Sequence, residues 1–102
     1  ITIDEPENYT INYTRAAKLT VNPVKYLVYP SPTTGKITVQ RNVAEDGFVK
    51  LYNSYGYLLE IKTISKYNMN SVILDITSRS NGIYYIRVYT WYNVYSFTII
   101  KV

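Results

Sequence analysis

From Lys25 onward, apolar and polar residues alternate in short runs separated by turn-forming clusters. Ile37 and Val39 alternate with Thr38 and Gln40, Val49 and Leu51 with Lys50 and Tyr52, and Leu59 and Ile61 with Glu60 and Lys62. Val72, Leu74 and Ile76 keep the same period. The longest run sets Tyr84, Ile86 and Val88 opposite Tyr85, Arg87 and Tyr89, and Val94 to Val102 returns as a last strand. A period of two puts every second side chain on one face of an extended strand. Between these runs lie Tyr29-Pro30-Ser31-Pro32-Thr33-Thr34-Gly35, Glu45-Asp46-Gly47, Asn53-Ser54-Tyr55-Gly56, Tyr67 to Asn70, Ser78 to Gly82, and a hairpin tip at Trp91-Tyr92-Asn93. Proline fixes φ and drives the preceding residue into extended geometry, and Gly35 is expected to supply a positive φ that ends its turn. No run carries the spacing of an amphipathic helix. About seven short strands with frequent turns predict an all-β, immunoglobulin-like antiparallel β-sandwich. Its expected inner face is Ile37, Val39, Val49, Leu51, Leu59, Ile61, Leu74, Ile76, Tyr84, Ile86 and Val88.

Composition supports strands and removes much chemistry. Thirteen of the 102 residues are Tyr, charged residues make up only 18%, and Cys and His are both absent. Disulfides, thiolate or imidazole catalysis and the usual zinc sites are thereby excluded. No pair of acids has a spacing that predicts a carboxylate dyad, so no enzyme is expected. Glu45 and Asp46 fall short of the six to eight oxygens of a calcium site, so no metal and no cofactor is predicted. The formal charge is +4, with Lys36, Lys50, Lys62, Lys66, Arg79 and Arg87 scattered rather than clustered. Scattered cations keep sheet faces and edges soluble. Without a recognition motif they predict no nucleic-acid partner. No apolar stretch approaches the ~18 residues of a spanning helix, so no transmembrane segment is expected.

Residues 1–24 differ from the rest. They carry Asp4, Glu5, Pro6 and Glu7, then an alternation of Tyr9, Ile11 and Tyr13 with Thr10, Asn12 and Thr14. Asn8 and Asn12 open glycosylation sequons that matter only in a eukaryotic secretory pathway. The segment reads as a linker or as the last strand of a preceding module, and residues 25–102 as the domain. A start at Ile1 suggests a fragment or a processed product.

Four motifs in order are more specific than any one: Tyr29-Pro30-Ser31-Pro32-Thr33-Thr34-Gly35-Lys36; Val49 to Gly56; Leu74-Asp75-Ile76-Thr77 leading to Asn81-Gly82-Ile83-Tyr84; and Phe97 to Val102. Together, over about Lys25 to Val102, they resemble the C-terminal sorting domain of cargo proteins of the type IX secretion system of Bacteroidetes. Ser31 stands where the family usually has Asn, Arg79 where Leu is frequent, and Tyr57 where Arg, Lys or Gln is commoner. The resemblance implies a secretion signal that directs an attached N-terminal cargo domain across the outer membrane. Its implied partners are the type IX translocon, an outer-membrane shuttle protein and a sortase-type cysteine protease that cuts or transfers the cargo. The implied route is the periplasm in transit, then the cell surface or the medium, with the cargo released or joined to anionic lipopolysaccharide.

The residues that would carry such a signal are Pro30, Pro32, Gly35, Gly56, Gly82, Tyr84 and the run Ile99, Ile100, Lys101 and Val102. A stiff Pro-x-Pro turn loses little entropy when a partner clamps it. Gly56 and Gly82 are expected at backbone angles that a Cβ would strain. The last strand offers an edge or a carboxylate end, with Lys101 as a candidate charge contact. Each of these also reads as plain architecture. The rival function is a carbohydrate-binding module using exposed aromatics among Tyr52, Tyr55, Tyr57, Tyr85, Tyr89, Trp91, Tyr92 and Tyr95, with Trp91 and Tyr92 as possible contacts. A flat row of three rings favours that rival, and scattered rings do not. A passive spacer of the fibronectin type is the third reading.

Overall fold

The computed structural model describes residues 25–102, so the features expected within 1–24 lie outside the described residues. Seven strands form: β1 (Tyr26–Tyr29), β2 (Lys36–Arg41), β3 (Gly47–Asn53), β4 (Leu58–Ile64), β5 (Val72–Asp75), β6 (Gly82–Thr90) and β7 (Val94–Lys101). They build two antiparallel sheets, β1-β2-β5 and β4-β3-β6-β7. This is the sandwich the alternation predicts, with sequence-adjacent β6 and β7 joined by the Trp91-Tyr92-Asn93 tip. Tyr84, near the start of β6, donates its hydroxyl to the Ser80 carbonyl at 2.5 Å, the tyrosine-corner device of immunoglobulin-like sandwiches.

Ile37, Val39 and Leu74 of one sheet and Val49, Leu51, Ile86 and Val88 of the other are fully buried, as is Ile76 just beyond β5. Tyr84 is buried with them. β4 departs from the expected pattern. Leu59 is only half-buried, and Ile61 is 50% exposed. The cause is a register shift where Leu51 pairs with Glu60 but Tyr52 pairs with Leu58. The extra residue moves the strand's alternation by one, so Glu60 and Lys62 share the face of Leu51 and Val49 and Ile61 turns outward. β4 is an edge strand, and there Glu60 and Lys62 meet in an ion pair of 3.3 Å. Tyr26, Ile64 and Ile99 complete the core, all three missing from the predicted inner face.

The sandwich is closed at each end by a buried cation. At the end holding Tyr26 and Thr90, Arg41 donates to the carbonyls of Glu45 and Ser65, each at 3.2 Å, and to that of Asn68. At the other end, Lys101 is 8% exposed and its Nζ donates to Asn81 Oδ1 at 2.9 Å. The ends are therefore chemically distinct, which matters for where the motifs fall.

Candidate recognition site

The four motifs converge on the Lys101 end. Gly82 pairs with Lys101 across β6 and β7, Asn53 at the end of β3 pairs with Tyr84, and Lys36 at the start of β2 pairs with Asp75. Strand polarity thus brings the turns at 30–35, 53–57 and 76–82 to one pole with the end of β7. The Pro-x-Pro turn is stitched to that strand directly. Thr33 N–H donates to the Ile100 carbonyl at 2.8 Å, Val102 N–H donates to the Thr33 carbonyl at 2.9 Å, and Ile100 N–H donates to Ser31 Oγ at 3.2 Å. Thr33 and Lys101 form a parallel bridge, so the last turn of chain is a short parallel pairing rather than an open edge.

The turn is also braced from within. Thr33 Oγ1 accepts from Gly35 N–H at 3.0 Å and donates to the Lys36 carbonyl at 2.8 Å. Gly35 does not adopt a positive φ, contrary to the sequence expectation. Its requirement is proximity: a Cβ there would lie 2.2 Å from Thr77 Oγ1 and 2.9 Å from Thr77 Cα. The neighbouring contact is fixed by Ile76 N–H, which donates to the Gly35 carbonyl at 2.8 Å. Gly56 and Gly82 do hold positive φ, at 87° and 139°, as their turns demand.

Asp75 caps this corner. Its Oδ1 accepts from Thr77 Oγ1 at 2.6 Å and from Thr77 N–H at 2.9 Å, and these bonds hold its carboxyl below the usual carboxylate range. The surface of the pole carries exposed apolar residues beside the charged Lys36, Asp75 and Arg79. Pro30 and Pro32 are exposed, the cross-strand pair Ile83 and Ile100 is 43% and 45% exposed, and Val102 is 60% exposed. Ile99 and Tyr84 point inward as a buried pair, and Lys101 is held inside by Asn81. Of the predicted signal residues, then, Pro30, Pro32, Ile100 and Val102 face outward, while Gly35, Gly56, Gly82, Tyr84, Ile99 and Lys101 shape what they sit on.

The aromatics of the described residues fall in several separate groups. Trp91 is 88% exposed at the hairpin tip, at the opposite pole, where with Tyr92 and Phe48 it borders an open groove of about 790 Å³. Tyr95 packs on Tyr26, ring centroids 4.8 Å apart, and Tyr26 donates to Glu45 Oε1 at 2.9 Å. Burial first, and then that bond, push the Tyr26 phenol far above its ordinary value. Tyr55 and Tyr57 flank Gly56 on the β3–β4 turn. Tyr52, Tyr85 and Tyr89 share the outer face of the four-stranded sheet, but Lys50 Nζ lies 4.7 Å from the Tyr89 ring centre and the Arg87 guanidinium 5.7 Å from that of Tyr52. Cations therefore sit among these rings. The Tyr52 and Tyr89 hydroxyls meet at 3.1 Å. That bond lowers the Tyr89 phenol, with Arg87 and Lys50 assisting, and raises that of Tyr52.

Among the described residues no cluster of three metal-ligating side chains occurs, and no helix is long and apolar enough to cross a membrane. The family described as the secretion system C-terminal sorting domain matches residues 27–101, from the second residue of β1 to the end of β7. No curated protein matches the chain.

Proposed function

Because the chain belongs to the family of type IX secretion system C-terminal sorting domains, we propose that its Lys101 pole is the surface by which the export machinery recognises the attached cargo. Members of this family are sorting signals, not enzymes, and they work with the secretion machinery to send a cargo to the cell surface or the medium. The observation carrying the proposal is the stitching of the Pro30–Gly35 turn to Ile100 and Val102, at the corner where strand register also places the other two motifs. Exposed apolar residues on a rigid frame make a good docking surface, since little ordering entropy opposes binding. An outer-membrane shuttle protein and the translocon contact Pro30, Pro32, Ile83, Ile100 and Val102 in this reading. The domain meets them in the periplasm, and a sortase-type cysteine protease then cuts on the N-terminal side, within or just after residues 1–24. Lys101 acts as a positioning residue, holding the end of β7 against Asn81, and not as a charge contact.

The test is a reporter carrying an inner-membrane export signal and ending in the full chain, expressed in hosts with and without type IX machinery. Reporter outside the cell only in the competent host is expected. Periplasmic retention in both contradicts the proposal. Inactivating the host's sortase cysteine should leave an uncut precursor, and unchanged processing would remove that part of the reading.

A further inference from the structure

Lys50 and Arg87 stand directly opposite each other on the outer face of the four-stranded sheet. Like charges at facing positions of an antiparallel pair are destabilising. Among the described residues the one ion pair joins Lys62 to Glu60, so no carboxylate relieves this repulsion. Tyrosine rings and hydroxyls surround the cations instead. Arg87 also lines a recess of about 300 Å³ with Tyr52, Ser54, Tyr55, Gly56 and Tyr85. That volume is at the lower end of the range for small-ligand sites, about 300–1,000 Å³.

The recess has a firm wall. Asn53 Oδ1 accepts from the N–H groups of Tyr55 and Tyr57, each at 3.0 Å, and Gly56 N–H donates to the Asn53 carbonyl at 3.0 Å. These bonds fix the backbone that carries Tyr55, a residue 84% exposed. The lining therefore offers three tyrosine rings, four hydroxyls and one guanidinium, with no acid among them. Rings match the apolar face of a pyranose, hydroxyls match a polyol, and a guanidinium matches a carboxylate or phosphate.

We propose that this recess binds an acidic sugar unit, its anionic group on Arg87 with Lys50 adding to the field and its ring against Tyr55 and Tyr85. Carboxylate and phosphate share the required chemistry. The recess borders the Lys101 pole through the 53–57 turn but lies on the outer face of the four-stranded sheet, and its existence does not depend on the sorting role.

The experiment is a solution titration of the full chain, followed by amide and guanidinium NMR shifts, with five probes: a galacturonate tetrasaccharide, glucose 1-phosphate, a neutral galactose tetrasaccharide, inorganic phosphate and a tetraglutamate peptide. One or both acidic sugars should shift Tyr52, Ser54 to Gly56, Tyr85 and Arg87, and comparing the two tells carboxylate from phosphate. Arg87→Gln and Tyr55→Ala, both at exposed positions, should each weaken binding about tenfold or more, with the melting temperature unchanged for Tyr55→Ala and not lowered for Arg87→Gln, which removes the facing like charge. Lys36→Gln should leave it unaltered. No binding by either acidic sugar, equal binding of the neutral tetrasaccharide or of inorganic phosphate, or equal loss in Lys36→Gln would overturn the proposal. Equal binding of a tetraglutamate peptide would overturn it too, by showing a site for acidic protein segments.

Discussion

Lys101 is buried at the end of the sandwich, and its ammonium donates to Asn81 Oδ1 at 2.9 Å, tying the end of β7 to the loop before β6. A buried cation with a neutral partner depends on that one bond. Asn81→Leu strands the ammonium and is expected to cost about 1–3 kcal/mol. Lys101→Met keeps the stem, removes the charge and leaves an exposed Asn81 to water, for an expected loss below about 1 kcal/mol. The double variant should match Lys101→Met alone. Urea unfolding of the three variants checks this, and strictly additive losses would show that the bond contributes nothing.

Leu51 and Ile61 test the register of β3 with β4. Leu51 is fully buried, so Leu51→Ala should cost about 2–5 kcal/mol. Ile61 faces outward because of the shift at Leu51 and Tyr52, so Ile61→Thr should stay within about 0.5 kcal/mol. Similar losses for both would mean the unshifted register.

These two residues also show where sequence reasoning reaches its limit. Alternation located β2, β3, β5 and β6 and their buried faces, because an uninterrupted strand obeys a period of two. In β4 a single extra residue reversed the faces, and nothing in Leu58 to Ile64 marks it. Ile64 and Ile99 were missed near strand ends, where alternation has few neighbours to confirm it. Arg41 and Lys101 look like surface cations in sequence, and their burial depends on carbonyl and amide oxygens supplied by distant loops. The punctuation at Pro30, Pro32, Gly56 and Gly82 was legible because it reflects local backbone geometry. Its convergence at one pole was not, since that follows from strand polarity and register.

Gly35 is needed for close approach and not for its φ. Gly35→Ala sets a Cβ 2.9 Å from the Thr77 backbone, which has no flexible end to move. A loss of about 1–3 kcal/mol is expected. Thr77→Ala should recover only part of it, because the clash with Thr77 Cα persists. Thermal melts of the single and double variants decide this, and full recovery would place the whole clash on Oγ1.

Stability should fall at both extremes of pH for separate reasons. Asp75 has a lowered carboxyl pKa, so its contribution is present above the unfolded value near ~3.9 and lost as pH falls through the folded value. Tyr26 has a raised phenol pKa, so its contribution is full below about pH 10 and is lost as pH rises beyond it. Asp75→Asn should flatten the acid limb alone, and Tyr26→Phe the alkaline limb alone. Denaturant midpoints measured across pH report both limbs, and a variant that leaves its own limb unchanged contradicts the assignment.

The two poles separate the sorting reading from the aromatic one in a single measurement: the distribution of a reporter fused to the full chain between periplasm and exterior. Ile83→Lys with Ile100→Glu removes the apolar pair at the Lys101 pole while leaving a favourable cross-strand pair. Trp91→Ala with Tyr92→Ala strips the opposite pole. With melting temperatures close to that of the native chain, the first variant should hold the reporter in the periplasm and the second should export it normally. Normal export of the first, or retention of the second alone, would contradict the claim that the corner joining the Pro30–Gly35 turn to β7 is the signal.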